Sequence, residues 1–424
     1  MMPKRNPDSG DMGKIIQFPR RKPDGNFDFH FRQGEILRER GMLDEAIREF
    51  ETAAKLNAFD EETRLCLGEV YAEKGLYDNA ISCFNAVLSL NGNNDDAFFL
   101  LGNISYQMED LKTAIEMWEK TLSVNQHHYE ARLNLCESLI DTGKYKKALK
   151  NLDVILDENP NDPDAMNTRG LALLFMGNPE GAIQELRLCA QFNPTYFITH
   201  INLGITYLES GALDLAVNEF RKAIRLNPQA AESHYYLAHA LAHRGDFSDA
   251  LASLHESIRL DPEISDAYCL LGNIHLEEGN EERAEEFFRR TLELEPEHEE
   301  AIAAWGLLFW KRREIESAIQ KFKHSLKINP YNPYVRMHLA RAYHEDGKPE
   351  KAVKEVQKAL QTEPGLSEAH FFLGDIYLEQ GDMENALGSW KSGLAVEPEN
   401  TEYGEKAAKL MAESRKKEGG MPQK

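Results

Sequence analysis

Apolar side chains in this chain recur at helical spacing, and the pattern itself returns every 34 residues. In residues 197–230, Leu203, Gly204 and Tyr207 fall at i, i+1 and i+4, on one face of a first helix. Ala216, Phe220, Ala223 and Ile224 fall at i, i+4, i+7 and i+8 and mark one face of a second. Gly211 separates the two, where a left-handed helix cap favours glycine. Pro228 follows the second helix, where it prevents continuation. The block therefore predicts two helices joined by a tight turn.

The alanine in the second helix shows how regular the spacing is. Ala46, Ala80, Ala114, Ala148, Ala182, Ala216, Ala250, Ala284, Ala318, Ala352 and Ala386 lie on one 34-residue lattice without insertion or deletion. Blocks begin at 27, 61, 95, 129, 163, 197, 231, 265, 299, 333 and 367, and together span 27–400. The eighth residue is small in every block: Gly34, Gly68, Gly102, Cys136, Gly170, Gly204, Ala238, Gly272, Gly306, Ala340 and Gly374. A recurring small residue in each helix predicts close approach of the two backbones within a block. An array of this kind grows by stacking units rather than by enlarging one core.

The run small-x-x-Tyr, Gly, Ala-x-x-x-Phe-x-x-Ala, Pro resembles the tetratricopeptide repeat (TPR). Gly204, Tyr207, Gly211, Ala216, Phe220, Ala223 and Pro228 carry that resemblance. It implies an all-α fold: antiparallel helix pairs stacked into a right-handed superhelical solenoid, with first helices lining a concave groove that holds peptides or partner elements. Some blocks depart from the pattern. The first three have Ala58, Gly92 and Gln126 in place of the proline, and Glu109 and Arg313 replace the turn glycine. A non-glycine residue in a left-handed conformation costs about 1–2 kcal/mol, so those two turns are expected to differ in shape or to be looser.

The two ends read differently. Residues 1–26 are polar and aperiodic, with six basic and three acidic side chains, and are expected to form a disordered basic arm. After Glu399 the register is expected to stop. Tyr403, Ala407, Leu410 and Met411 then predict an amphipathic capping helix over 401–416, followed by a disordered tail, 417–424.

Composition narrows the function. The 424 residues carry a formal charge of −22, which disfavours nucleic-acid binding through the phosphate backbone. Cys66, Cys83, Cys136, Cys189 and Cys269 are widely spaced with no CxxC pair and read as reduced, mostly buried residues. The most apolar run, 301–310, is well short of the roughly 20 residues that cross a bilayer. The arm's longest apolar stretch is Ile15-Ile16, too short for a secretory signal. The expectation is a cytoplasmic protein without membrane insertion.

Candidate chemistry is confined to the blocks. Asp28, Glu62, Asp96, Glu130, Asp164, Glu232, Asp266, Glu300 and Glu368 all occupy second positions, where acids complement the helix dipole. His239 and His243 share a helix face at zinc-ligand spacing, but HALAH lacks the glutamate of HExxH and no third ligand is evident, so no metal is expected. No phosphate loop, GxSxG elbow or non-repeat segment is present to build a catalytic pocket, which argues against an enzyme or a cofactor. If the family geometry holds, the groove contains Asn103, Tyr106, Tyr235, His239, Asn273, Trp310, Arg341, His344 and Asp375, with Phe31, Phe99 and Phe371 nearer the core. Aromatic and Arg side chains are the usual anchors of protein interfaces. Trp310 and Arg341 stand out because neither lies on the packing stripe of its own block.

Two subfamily signatures are incomplete. The carboxylate clamp of chaperone-adaptor TPRs needs a fifth-position lysine, and no block has one. The asparagine ladder of the O-linked N-acetylglucosamine transferase arrays is reduced to Asn134 and Asn202. The reading is a non-catalytic scaffold or adaptor that binds a peptide or helical segment of other proteins. Alternatives are self-association into homo-oligomers, or a substrate-recruiting subunit of a separate enzyme such as a glycosyltransferase.

Overall fold

The computed structural model describes residues 25–418, with side chains described for 26–412. The expected arm and tail therefore lie almost wholly outside the described residues; Gly25 and Asn26, assigned to the arm by sequence, open the first helix. All regular structure among the described residues is helical. The chain forms two compact units that divide between Asn193 and Pro194, in the loop between the fifth and sixth repeats.

In the N-terminal unit, repeats one to three supply α1 (Gly25–Glu39), α2 (Leu43–Leu56), α3 (Glu61–Glu73), α4 (Tyr77–Leu90), α5 (Asp95–Gln107) and α6 (Leu111–Val124). Repeats four and five supply α7 (Tyr129–Asp141), α8 (Tyr145–Glu158), α9 (Pro163–Phe175) and α10 (Pro179–Phe192). The C-terminal unit begins with α11 (Phe197–Glu209), α12 (Leu213–Leu226), α13 (Ala231–Arg244), α14 (Phe247–Leu260), α15 (Ser265–Glu277) and α16 (Glu281–Leu294). It continues with α17 (Glu299–Lys311), α18 (Ile315–Ile328), α19 (Pro333–Glu345), α20 (Pro349–Thr362), α21 (Ser367–Glu379), α22 (Met383–Val396) and α23 (Thr401–Glu418). None of these is long and apolar enough to cross a membrane.

Packing within a pair follows from two lattice positions sixteen residues apart. Every lattice alanine is fully buried, and so are the side chains four residues further on, among them Phe50, Phe84, Phe220, Phe288 and Phe322. Each of these rings lies against the eighth-position glycine of its own repeat. A methyl group on Gly204 would stand 2.5 Å from Phe220 Cε1, and one on Gly68 2.4 Å from Phe84 Cε1. Where the eighth residue is larger, the facing residue is smaller: Cys136 with Leu152, Ala238 with Leu254, Ala340 with Val356. Volume is conserved across the contact, as dense interiors require. Gly170 keeps a leucine partner, Leu186, and its added methyl would still meet that side chain at 2.7 Å.

The turns are more uniform than the sequence suggests. Gly211 sits at φ 72, and Glu109 and Arg313 adopt φ 61 and 65. All three donate to the carbonyl three residues back, at 2.9, 2.9 and 3.0 Å. The expectation of altered turns at Glu109 and Arg313 is thus corrected: the repeat's packing imposes one shape, and these residues carry the left-handed strain. The missing prolines of the first three repeats are also without consequence for the joint. Asn57, Asn91 and Asn125 cap the second helices through their backbone N–H, and their side-chain oxygens accept from Phe59, Asn93 and His127 N–H. Repeats that keep the proline make the same asparagine turn bond, at Asn227 and Asn329, so the joint's geometry does not depend on the proline.

The lattice also runs one helix further than expected. α23 starts at Thr401, 34 residues after α21 starts at Ser367, and Asn400 Oδ1 accepts from Tyr403 N–H at 3.3 Å. Ala407 and Leu410 are buried, with Tyr403 and Met411 beside them, against Phe371, Ala386 and Trp390. No second helix packs on α23 among the described residues, and its eighth position, Ala408, keeps the small residue but is exposed.

Within each unit, first helices of neighbouring repeats touch directly, as α3 with α5 and α15 with α17. Neighbouring second helices touch less. The first-helix layer is therefore the tighter side of each stack, and its outward face carries the candidate site.

Candidate functional site

The ninth residue of one repeat and the second residue of the next meet across this layer. Asn273 Nδ2 donates to Glu300 Oε1 at 3.0 Å, and the Arg341 guanidinium donates to Glu368 Oε1. At the same two positions His239 faces Asp266, each shifting the other's titration. The second-position acids thus do more than complement helix dipoles: several of them tie neighbouring repeats together. In the N-terminal unit the same positions hold Glu137 and Asp164. There desolvation, together with Asp141 and Asp164, pushes the Glu137 carboxyl up.

Two of the expected site residues serve buried tryptophans. Trp118 donates its indole N–H to Asn103 Oδ1 at 3.1 Å, and Trp390 donates to Asp375 Oδ1 at 3.1 Å. Both tryptophans are 1 % exposed, so each N–H needs an acceptor. The acceptor lies fifteen residues earlier in both cases. Asn103 also accepts from Asn134 Nδ2, which joins repeats three and four. Tyr106, 45 % exposed, has its ring centroid 6.0 Å from that of Trp118.

Tyr235, His239 and Asn273 form a second group, on α13 and α15. The Tyr235 ring lies 6.0 Å from His239, which meets His243 edge-on at 4.8 Å. Burial, then Asp266 and Glu300, push the Tyr235 hydroxyl well above its ordinary range. Burial and then His243 push His239 down, against a pull from Asp266. Asp266 in turn accepts from His298 Nε2 at 3.0 Å and is held low chiefly by that bond. No three His, Cys, Asp or Glu side chains converge as metal ligands among the described residues. Among the cysteines, burial pushes the half-buried Cys66 and Cys83 thiols up to about 12 and about 11.

Trp310 is half-buried and packs against a cluster drawn from its own repeat (Ala303, Ala318, Phe322) and the next (Val335, Leu339, Ala342). It contributes to the joint with the next repeat, its ring centroid 6.2 Å from that of His338. Arg341, His344 and Asp375 come together at the far end of the unit. Arg341 stands 5.8 Å from the Phe372 ring centroid, and His344 meets the same ring edge-on at 5.6 Å while contacting Glu379 Oε2 at 2.7 Å. Between α19, α21 and α23 opens a cleft of about 440 Å³, lined by Arg341, Ser367, Glu368, Phe371, Phe372, Asp375, Glu397, Asn400 and Tyr403. Phe371 is buried and stacks on Tyr403 at 4.1 Å, and the Tyr403 hydroxyl donates to Asp375 Oδ2 at 2.7 Å. Burial and that bond push the Tyr403 hydroxyl above its ordinary range.

Sequence reasoning placed Arg341, Phe371 and Asp375 on this face but missed Phe372 and Tyr403. The signal for Tyr403 was present. Ten of the eleven earlier third positions are not aromatic, and Gly393 stands where repeats two, three and four place Val87, Thr121 and Ile155. A methyl on Gly393 would come 2.5 Å from the Phe371 ring, so the glycine opens the seat into which Phe371 and then Tyr403 fit.

Helix pairs on a fixed spacing, each second helix packed on the first helix of the next pair, define a helical-repeat solenoid of the kind that presents extended surfaces. Tetratricopeptide repeat family models match residues 31–97, 244–299 and 303–367, and also 105–168 and 344–410; a TPR repeat model matches 206–245. The chain belongs to the tetratricopeptide repeat family. No curated protein matches it. Among solved structures it is similar to the crystal structure of the APC/C hetero-tetramer Cut9-Hcn1, with TM-score 0.54, 15 % identity and coverage of 91 % of this chain and 96 % of that one. It is also similar to a monomeric mutant of IFIT1 with m7Gppp-AAAA, with TM-score 0.57, 18 % identity and coverage of 77 % and 84 %. At such identities the likeness is one of fold.

Proposed function

We propose that the protein is a non-catalytic interaction scaffold or adaptor, and that the first-helix face of its C-terminal unit holds a peptide or helical segment of a partner protein. The observation that supports this most is the run of half-exposed anchors along α13, α15, α17 and α19: Tyr235, His239, Asn273, Trp310, Arg341 and His344. Aromatic and Arg groups supply interface energy, and the polar groups around them fix register. The non-catalytic reading is supported by how the polar groups are used. Asn103 and Asp375 satisfy tryptophans, and Glu300 and Glu368 join repeats.

Affinity purification from native cells tests this, comparing wild type with Trp310→Leu/Arg341→Gln. Leucine keeps the apolar joint at position 310, and loss of the exposed Arg341–Glu368 pair costs at most about 1 kcal/mol. Loss of specific partners with an unchanged melting curve is the expected outcome. Recovery of the same partners by both proteins refutes the assignment of this face.

A further inference from the structure

We propose that the cleft between α19, α21 and α23 receives a positively charged side chain, guanidinium or ammonium, carried by an extended segment of a partner protein. This rests on the scaffold reading above and specifies its chemistry at one place. The volume of about 440 Å³ is in the range of sites that enclose small ligands, enough for a long side chain and its adjoining backbone.

Charge selects the occupant. The one cation lining the cleft, Arg341, is matched by Glu368. The other two carboxylates take hydrogen bonds from neutral donors only: Asp375 from the Trp390 indole and Tyr403 hydroxyl, Glu397 from the Asn400 amide at 3.2 Å. Neutral donors satisfy lone pairs without cancelling charge, so the lining keeps an excess of two negative charges. Lys406, beside the Tyr403 ring, is paired with Glu402 at 2.7 Å. An anionic group entering the cleft has to displace Glu368 from Arg341 and then face Asp375 and Glu397. A cationic one meets two uncompensated carboxylates.

The walls fit the same occupant. Phe372 and Tyr403, both partly exposed, give apolar surface for the methylene stem of Lys or Arg, whose charged head stays at the polar rim. The protein's own cations already use these rings: Arg341 lies by Phe372, and Lys406 stands 4.2 Å from the Tyr403 centroid.

Fluorine NMR of the full chain labelled with fluorotryptophan tests the site, because only four tryptophans report and Trp390 is bonded to Asp375. The probe is acetyl-Gly-Arg-Gly-amide. It is expected to shift the Trp390 resonance saturably, while the neutral isostere with citrulline leaves it in place. Glu397→Gln, at an exposed position, is expected to weaken the probe about 5-fold, the worth of one partly exposed ion pair. Equal binding of the citrulline peptide, or the same shift from acetyl-Gly-Glu-Gly-amide, overturns the proposal. Arg20→Ser/Arg21→Ser/Lys22→Ser in the full chain is expected to leave probe affinity unchanged. Tighter binding there means that the chain's own basic residues fill the cleft, and the partner assignment falls. Partner capture that depends on Trp310 and Arg341 without probe binding refutes the cation site alone. Probe binding with partner capture indifferent to those residues refutes the scaffold face alone.

Discussion

Replacing Gly204 with alanine is the sharpest perturbation of the repeat. The new methyl would stand 2.5 Å from Phe220 Cε1 and 2.7 Å from Cδ1. Comfortable carbon contacts are about 3.5–4.0 Å, so the ring has to retreat by about 1 Å. It has nowhere to go: Phe220 is fully buried, with Ala216 and Ala223 fully buried beside it on α12. Overpacking of this kind costs about 1–3 kcal/mol, and the helix-propensity gain of alanine over glycine returns about 0.5–1 kcal/mol. A net loss of about 1–2 kcal/mol is expected. Phe220→Leu alone leaves a void over Gly204 and also destabilises. The double variant recreates the arrangement that repeat seven uses with Ala238 and Leu254, so the two losses are expected to offset each other, with a coupling of about 1–2 kcal/mol. Urea unfolding followed by far-ultraviolet circular dichroism measures the cycle, and hydrogen exchange of α11 and α12 amides localises it, since repeat arrays can lose two-state behaviour. Gly388→Ala is the control: nothing lies within 4 Å of its added methyl, and a gain of about 0.5–1 kcal/mol is expected. Additive losses at positions 204 and 220, with no coupling, would refute the volume-exchange argument.

Glu109→Gly removes an exposed left-handed non-glycine residue at φ 61; a gain of about 1 kcal/mol in urea unfolding is expected, and an unchanged midpoint counts against strain there. Glu219 is 8 % exposed and accepts from His200 Nδ1 at 2.7 Å and from Lys222 at 2.6 Å. Its burial alone would raise the carboxyl, but these bonds outweigh it and the net shift is downward. A depressed folded value means that the stabilisation is present above the unfolded value, about 4.3, and is lost as pH falls through the folded one. Glu219→Gln is expected to be less stable than wild type at neutral pH and to converge with it in acid; a constant gap down to low pH contradicts the pairing.

The repeat, its turns and its buried alanines were legible because each depends on residue size at a fixed spacing. The Gly204–Phe220 exchange was legible in principle, sixteen residues apart, and so was the fifteen-residue link between Trp118 and Asn103 or Trp390 and Asp375. Both require comparing positions between helices rather than along one. Asn103 and Asp375 looked like groove polarity for that reason, and their bonds to buried indoles appear only when ring orientation is known. Trp310 packs against a cluster shared by its own repeat and the next, a contact that a pattern read along one helix does not show. The turns at Glu109 and Arg313 show the reverse case: propensity suggested change, and tertiary packing overrode it. The cleft was least legible, since it depends on one absent methyl at Gly393 and one large ring at Tyr403.

The seat of α23 has a consequence for how long this protein can become. Any whole number of 34-residue blocks inserted upstream within the C-terminal unit preserves every neighbour relation that a repeat requires. The last block is not exchangeable in that way. Tyr403 needs Phe371 beneath it, Gly393 to admit Phe371, and Asp375 to receive its hydroxyl, and no other repeat has all three. Duplication or loss of internal repeats is therefore compatible with an intact terminus, whereas deleting repeat eleven leaves α23 without a place to dock. The seat of α23 is fixed by its own side chains, while the number of repeats before it is free to vary.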